Sequence, residues 1–264
     1  SNGILKKCGG LPLAIISISS LLANRPATKD EWEKVKRSIG SALERKQSLE
    51  GMSRILSLSY NDLQPHLKTC LLYLSVFPED YVIERDILVR RWIAEGFIQS
   101  GEQGIRLFEI GERYFSALIN RNLIQPVYYN HDGSVAVCQV HDMVLDLICS
   151  LPSEENFITI WDGSKQNKNN SDSMVRGISF QNSMSEPTIN QVDATTMPQV
   201  RSVVLFRTDI DLIRTISCFQ VLRVLALEGG VFSENNTGCL ENLGKLVHLR
   251  YLGLGEMVNI HALP

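Results

Sequence analysis

The sequence predicts a mainly α-helical chain with α/β repeats at its end: a helical bundle, a winged-helix subdomain, and then an irregular leucine-rich-repeat solenoid. Three observations predict it. Apolar residues recur at helical spacing through most of the first 120 residues, two β-prone segments flank Asp132-Gly133, and four apolar triples follow one another at similar intervals beyond residue 174.

In order along the chain, Gly9-Gly10 ends a short first helix and Pro12 opens the next, where its missing N–H costs nothing. That helix, Leu11 to Ala23, is apolar nearly all round and is expected to be buried. Thr28 and Glu31 form a capping box, after which Trp32, Val35, Ile39 and Leu43 share one face. Met52, Ile55, Leu56 and Ser59 carry another helix, interrupted by Asn61-Asp62 and Pro65. The run from Cys70 to Phe77 is apolar enough to lie inside, and Pro78 stops it. Beyond a turn at Glu79-Asp80, Ile83, Ile87, Leu88, Trp92 and Ile93 form an apolar stripe that Gly96 terminates. Leu107, Ile110, Tyr114, Phe115, Leu118 and Ile119 make the next helix.

The period then changes. Leu123–Tyr129 and Val135–Val140 are β-prone, and the Asp-Gly between them signals a hairpin. Helices followed by a β-hairpin suggest a helix-turn-helix with a wing. A helix from Met143 to Leu151 and a strand-like stretch, Phe157 to Trp161, lead to Gly163–Ser173, eleven residues without a large apolar side chain and the best boundary in the chain.

Past this boundary the triples are Val175, Ile178, Phe180; Val200, Val203, Leu205; Leu222, Leu225, Leu227; and Leu249, Leu252, Leu254, at steps of 25, 22 and 27 residues. Such spacing fits leucine-rich repeats, with each triple a short strand facing a stacked core and the intervening residues on the concave face. The Asn or Cys expected after each triple is instead Ser183, Thr208, Gly230 and Met257, which predicts an irregular array. The last unit is expected to break off at its turn, at Leu263-Pro264, which would leave the array uncapped within this sequence.

Composition narrows function. With 264 residues, 44% hydrophobic, the chain holds one large core or two ordinary ones. A net charge of -3, from 29 acidic and 26 basic residues, leaves no excess cation for a phosphate backbone. The segment Glu84–Glu95, where a recognition helix would lie, sets Arg85, Arg90 and Arg91 against Glu84, Asp86 and Glu95. Nucleic acid is therefore not an expected partner. Residues 201–264 balance six basic with six acidic side chains, which gives no electrostatic hint of a partner. The uncharged stretch Cys8–Asn24 is broken by Gly9, Gly10 and Pro12, so no transmembrane segment is expected. Six dispersed cysteines without a C-x-x-C pair suggest buried, reduced thiols of an intracellular protein, and no metal site. The histidines form no metal-ligand spacing with His141-Asp142, and no catalytic residue emerges.

Four strings point to one family. Gly10-Leu11-Pro12-Leu13 resembles the GLPL motif of the plant nucleotide-binding leucine-rich-repeat (NB-ARC-LRR) disease-resistance receptors. Cys70 to Asp80 resembles their C-x-x-Y-x-x-x-F-P-E-D signature in its coiled-coil-class form, and Val140-His141-Asp142 their MHD motif. The repeats with Leu249-Arg250-Tyr251-Leu252 are similar to the start of their recognition domain. The resemblance implies that residues 1–62 are the C-terminal part of the nucleotide-binding module with the GLPL motif. It makes 63–152 the winged-helix subdomain ending in the MHD-like motif, 153–173 a linker, and 174–264 the first repeats.

It further implies a cytoplasmic innate-immune receptor whose ADP/ATP state acts as a switch. Pro12 and Leu13 would lie at the adenine and His141 at the β-phosphate, with Asp142 regulatory, fixing the helix start and the histidine's orientation. Val140 replaces the usual Met, which alters packing behind His141. The implied partners are the nucleotide-binding and coiled-coil domains of the intact receptor, and a pathogen effector or guarded host protein at the repeats. Gly244-Lys245 is followed by Leu246, so no phosphate-binding loop is present in this sequence. The expectation is therefore a receptor fragment that is not itself an NTPase and binds no nucleotide stably alone. A nucleotide-independent scaffold of helical adaptor plus repeats is the alternative, ahead of a winged-helix DNA binder.

Overall fold

Helix α1 (Pro12–Ala23) starts at the proline the sequence marked, and its buried residues are Ala14, Ser17, Ile18, Ser20 and Leu21. The computed structural model describes residues 8, 12–39, 49–99, 104–151, 157–161, 175–181, 198–206, 219–231 and 243–258. The expected Gly9-Gly10 helix end, Leu43, Gly163–Ser173, Ser183, Thr208, Cys218, Cys239 and the last unit's Leu263-Pro264 lie outside them. The chain divides into two units: residues 1–74, 79–89 and 98–150, and residues 75–78, 90–97 and 151–264.

In the first unit, α1 is not buried all round as expected. Pro12, Ile16, Ser19 and Ala23 share an exposed face at steps of three and four, with Ile16 47% exposed. Helix α2 (Lys29–Ile39) begins after Thr28, whose hydroxyl accepts the Glu31 N–H at 3.4 Å. Only this half of the box forms, since the Glu31 carboxylate instead pairs with Lys34 and Arg25. Helix α3 (Leu49–Asn61) ends as predicted, and Pro65 opens α4 (Pro65–Leu72), which tightens into a 3₁₀ turn at Tyr73–Val76. All of Cys70–Phe77 is buried. Asp62 gathers the loops between helices: its Oδ1 accepts Arg25 Nη2 at 2.7 Å and Nε at 3.1 Å, and its Oδ2 accepts Arg121 Nη1 at 2.9 Å.

Ile83, predicted to share the next helix's stripe, sits in strand β1 (Val82–Glu84), and α5 (Arg85–Glu95) follows it directly. Gly96, at φ +84°, closes α5 through Gly96 N–H to Ile93 C=O and Phe97 N–H to Trp92 C=O, the paired bonds of a Schellman cap. Helix α6 (Leu107–Asn120) leads to strands β2 (Gln125–Tyr129) and β3 (Val135–Gln139), joined through Gly133 at φ +80°. The sheet order is β1-β3-β2, all antiparallel, and Pro126 sits on the edge strand, where its missing N–H is tolerated. Helix α7 (Asp142–Ser150) completes the unit and packs on α3 and α4. This arrangement of helices around a small three-stranded sheet is the predicted winged helix.

The second unit is built on a five-stranded parallel sheet ordered β4-β5-β6-β7-β8: β4 (Ile158–Trp161), β5 (Gly177–Phe180), β6 (Ser202–Phe206), β7 (Val224–Val231) and β8 (Tyr251–Val258). All four predicted triples converge on one apolar cluster, with Ile178, Val203, Leu225 and Leu252 in one register row and Phe180, Leu205, Leu227 and Leu254 in another. The sheet begins one strand earlier than the triples suggest, because β4 lies within the stretch 153–173 expected to be a linker. Gly230 and Met257, where a turn-forming Asn is absent, pair with each other as β7 and β8 run on to Val231 and Val258.

The opposite face of the sheet, where the repeat pattern places the intervening residues, is covered. Gly177, Ser179, Ser202, Val204, Val224 and Ala226 alternate with the core positions, yet all are buried. Residues 75–78 and 90–97 of the same unit supply the cover. The Ser179 hydroxyl donates to Val76 C=O, Phe77 meets Phe206 edge-on at 6.2 Å, and Arg223 Nη1 donates to Glu95 C=O at 3.0 Å.

Candidate functional site

His141 is the residue immediately before α7, and it caps that helix twice. Its carbonyl accepts Val144 N–H at 2.7 Å and Leu145 N–H at 3.0 Å, while its ring Nδ1 accepts Met143 N–H at 3.2 Å. A helix start leaves its first N–H groups without intrahelical partners, and the imidazole satisfies one of them. With Nδ1 accepting, the proton of the neutral ring resides on Nε2, which is left as a donor. The ring is half-buried, beside the end of a helix that favours anions.

Asp142, expected to fix the helix start, is exposed in the first turn of α7, and the cap is His141 itself. A carboxylate there still complements the helix dipole. Pro12 is exposed and Leu13 half-buried at the start of α1. α1 and α7 both pack on α3. Among the described residues no hydrogen bond, ion pair or ring contact joins Pro12 or Leu13 to His141 or Asp142.

A second polar constellation escaped sequence reasoning. Arg91 and Glu95, two of the charges that cancel by sign over Glu84–Glu95, are 1% and 5% exposed. Arg91 forms an ion pair with Glu228 of β7, and its guanidinium carbon lies 5.2 Å from the Phe77 ring centre and 5.4 Å from that of Tyr251. Burial pushes the Glu95 carboxyl up to about 7, although Ser202 and the nearby Arg223, Arg201 and Arg176 draw it the other way. The available signal was positional: Leu88, Arg91, Trp92 and Glu95 fall at helical steps of three, one and three, so both charges share the apolar face.

Of the described cysteines, Cys8, Cys70 and Cys138 are buried free thiols as expected, whereas Cys149 near the end of α7 is exposed. Burial pushes Cys138 up to about 12. Among the described residues no helix is long and apolar enough to cross a membrane.

Comparison with known proteins agrees with these two architectures. Residues 76–148 match the family described as "Disease resistance protein Winged helix domain", and residues 199–264 match "Leucine-rich repeat region". The chain is 43% identical over 225 residues to the disease resistance protein PIK6-NP of Oryza sativa subsp. japonica, a match covering 85% of this chain and 21% of the relative. It is 36% identical over 254 residues to the disease resistance protein RGA5 of the same organism, covering 96% of this chain and 22% of the relative. With the putative disease resistance RPP13-like protein 3 of Arabidopsis thaliana it shares 33% identity over 258 residues, 96% of this chain and 29% of that one. The chain thus spans about a fifth to three tenths of the length of these relatives.

Proposed function

We propose that this chain, a homologue of plant disease resistance proteins carrying their winged-helix domain and a leucine-rich repeat region, is the section of an immune receptor that connects nucleotide state to the recognition repeats. The receptor is cytoplasmic, and its repeats continue the parallel sheet as a solenoid that senses a pathogen effector or a guarded host protein. The chain acts by changing arrangement rather than by catalysis, as a two-state element between resting and active receptor.

The observation that carries this reading is the engagement of His141. Because Nδ1 is committed to the Met143 N–H, the ring is held in one orientation with Nε2–H directed away from its own backbone cap. A fixed N–H donor beside a helix start suits a phosphate oxygen. Pro12 is exposed at its helix start, as a ring laid against an adenine must be. In the intact receptor, ADP or ATP supplies the purine and the phosphate charge to which Pro12, Leu13 and His141 respond.

The test uses a chain extended upstream to include the nucleotide-binding and coiled-coil domains. His141→Asn keeps an N-cap acceptor but removes the Nε2 donor. Release of labelled ADP is expected to quicken by about tenfold, the worth of one charge-assisted hydrogen bond, with an unchanged melting temperature. Unaltered ADP retention would return His141 to a purely capping role.

A further inference from the structure

Three segments remote in sequence meet at one carboxylate. Asp62 directly follows α3, Arg25 lies in the connection between α1 and α2, and Arg121 is the C-cap of α6. Arg25 donates from Nη2 and Nε to one Asp62 oxygen, at 2.7 and 3.1 Å, and Arg121 donates from Nη1 to the other at 2.9 Å. The remaining nitrogen of Arg25, Nη1, faces Glu31 of α2 at 3.7 Å. One residue before Arg121, Asn120 C=O accepts the Ser20 hydroxyl of α1.

The end of α6 is built to present these partners. Asn122, at φ +54°, donates its N–H to Ile119 C=O at 2.8 Å, and Leu123 N–H reaches Leu118 C=O at 3.1 Å, the paired bonds of a Schellman cap. Asparagine tolerates this left-handed conformation better than most residues. The cap leaves Asn120 C=O without an intrahelical donor, and Ser20 fills that place. Arg121, a cation at a helix C-terminus, also complements the helix dipole.

The contacts join two parts of the chain. Asn120 and Arg121 belong to residues 76–148, which match the winged-helix domain, whereas Ser20, Arg25 and Asp62 precede them. When helices α1–α3 move as one body against that domain, the Arg25–Asp62 bonds travel with them, and the bonds of Arg121 and Ser20 break. Arg121 and Asp62 are 16% and 20% exposed, so water can replace each partner as it leaves. Arg91, 1% exposed, has no such exchange available. A reversible contact needs this combination of opposite charge, access to water and partners on both sides of a boundary.

We propose that Asp62 and Arg121, with Ser20 and Asn120, form a releasable clasp that holds α1–α3 against the winged-helix domain in the resting arrangement. The inference rests on the two-state reading above and gives it a specific contact: the closed clasp favours the resting state, and loss of the Arg121 bond favours the other. Arg25 orients the carboxylate, since by engaging one oxygen through two N–H groups it aims the other at Arg121. The clasp acts whether or not nucleotide is bound.

Spin labels at Glu33→Cys and Ser116→Cys, exposed positions on α2 and α6, report the separation of the two parts by pulsed electron resonance in the full 264-residue chain. Cys149→Ser, Cys218→Ser and Cys239→Ser confine labelling to the introduced thiols. Arg121→Gln is expected to raise the share of a longer distance at least about fivefold, and Arg121→Lys to restore the parent distribution, because Arg121 uses a single N–H. Raising salt from about 0.05 to 1 M should raise the same share in the parent and leave Arg121→Gln unchanged. Circular dichroism confirms that the variants are folded. A distribution unchanged in Arg121→Gln, or in the parent at high salt, overturns the clasp, and so does a change that Arg121→Lys fails to reverse. No nucleotide enters this experiment, so these results count against the clasp alone, whereas unaltered ADP retention in His141→Asn counts against the nucleotide reading.

Discussion

Arg91 and Glu228 form an ion pair in which the guanidinium is 1% exposed and the carboxylate 13%. The arginine approaches from the helix α5 and the glutamate from strand β7, 137 residues away. Removing charge from only one partner strands the other in a dry setting, which costs about 3–5 kcal/mol when burial is complete. The residual exposure of Glu228 favours the lower end for Arg91→Met. The double variant Arg91→Met/Glu228→Leu is expected to recover most of the loss, since a thioether packs well between Phe77 and Tyr251. Urea unfolding followed by fluorescence of the buried Trp92 measures both, and single variants costing under about 1 kcal/mol would show that the pair does not hold the cover in place.

Glu95 makes stability depend on pH in a direction opposite to that of most carboxylates. Its folded value of about 7 lies above the ordinary 4.5, so the folded chain holds a proton that the unfolded chain releases. Stability from this group is fully present below pH 4.5 and is lost as pH rises through 7. The full span corresponds to about 3 kcal/mol. Glu95→Gln keeps the shape without the charge, so the stability difference between variant and parent should widen in the variant's favour from pH 5 to pH 8. A difference that stays constant across this range would mean that Glu95 is ionised throughout.

The parts of the fold that were legible are those fixed by local geometry or strict period. Pro12, Pro65, Pro78 and Gly96 mark helix boundaries because a missing N–H or a positive φ acts within one turn. The four triples were legible because strand pairing enforces their phase, and every member reaches the same core. The buried face of the sheet was not, because its cover comes from residues 75–78 and 90–97, remote in sequence. Charge counting misled in both directions. It cancelled Arg91 and Glu95 by sign without registering that both are buried, and it averaged away an arginine rung at residues 176, 201, 223 and 250, since composition carries no information about register.

At α7 the capping role of His141 has its own signature, independent of nucleotide. His141→Ala deletes the acceptor of the Met143 N–H and should cost about 1 kcal/mol, whereas His141→Asn should stay within a few tenths of the parent. Thermal unfolding of the chain monitored by circular dichroism distinguishes them. Equal melting temperatures for His141→Ala and the parent would mean that water replaces the ring without penalty.

Gly111 offers a test in which helix propensity and packing have opposite signs. It is buried in α6, where exchanging Gly for Ala ordinarily gains about 1 kcal/mol. A Cβ at Gly111, however, would stand 2.5 Å from Val89 Cγ1 and 3.6 Å from Ile98 Cδ1. Val is stiff about χ1 and cannot swing aside as a long side chain does, so overpacking of about 1–3 kcal/mol should exceed the propensity gain. Gly111→Ala is therefore expected to destabilise, by about 1 kcal/mol net. Adding Val89→Ala makes room for the new methyl, and the double variant should be more stable than the sum of the two single changes predicts. Urea unfolding of the four proteins closes this cycle, and a stabilised Gly111→Ala would show that α5 and α6 separate at no cost to packing.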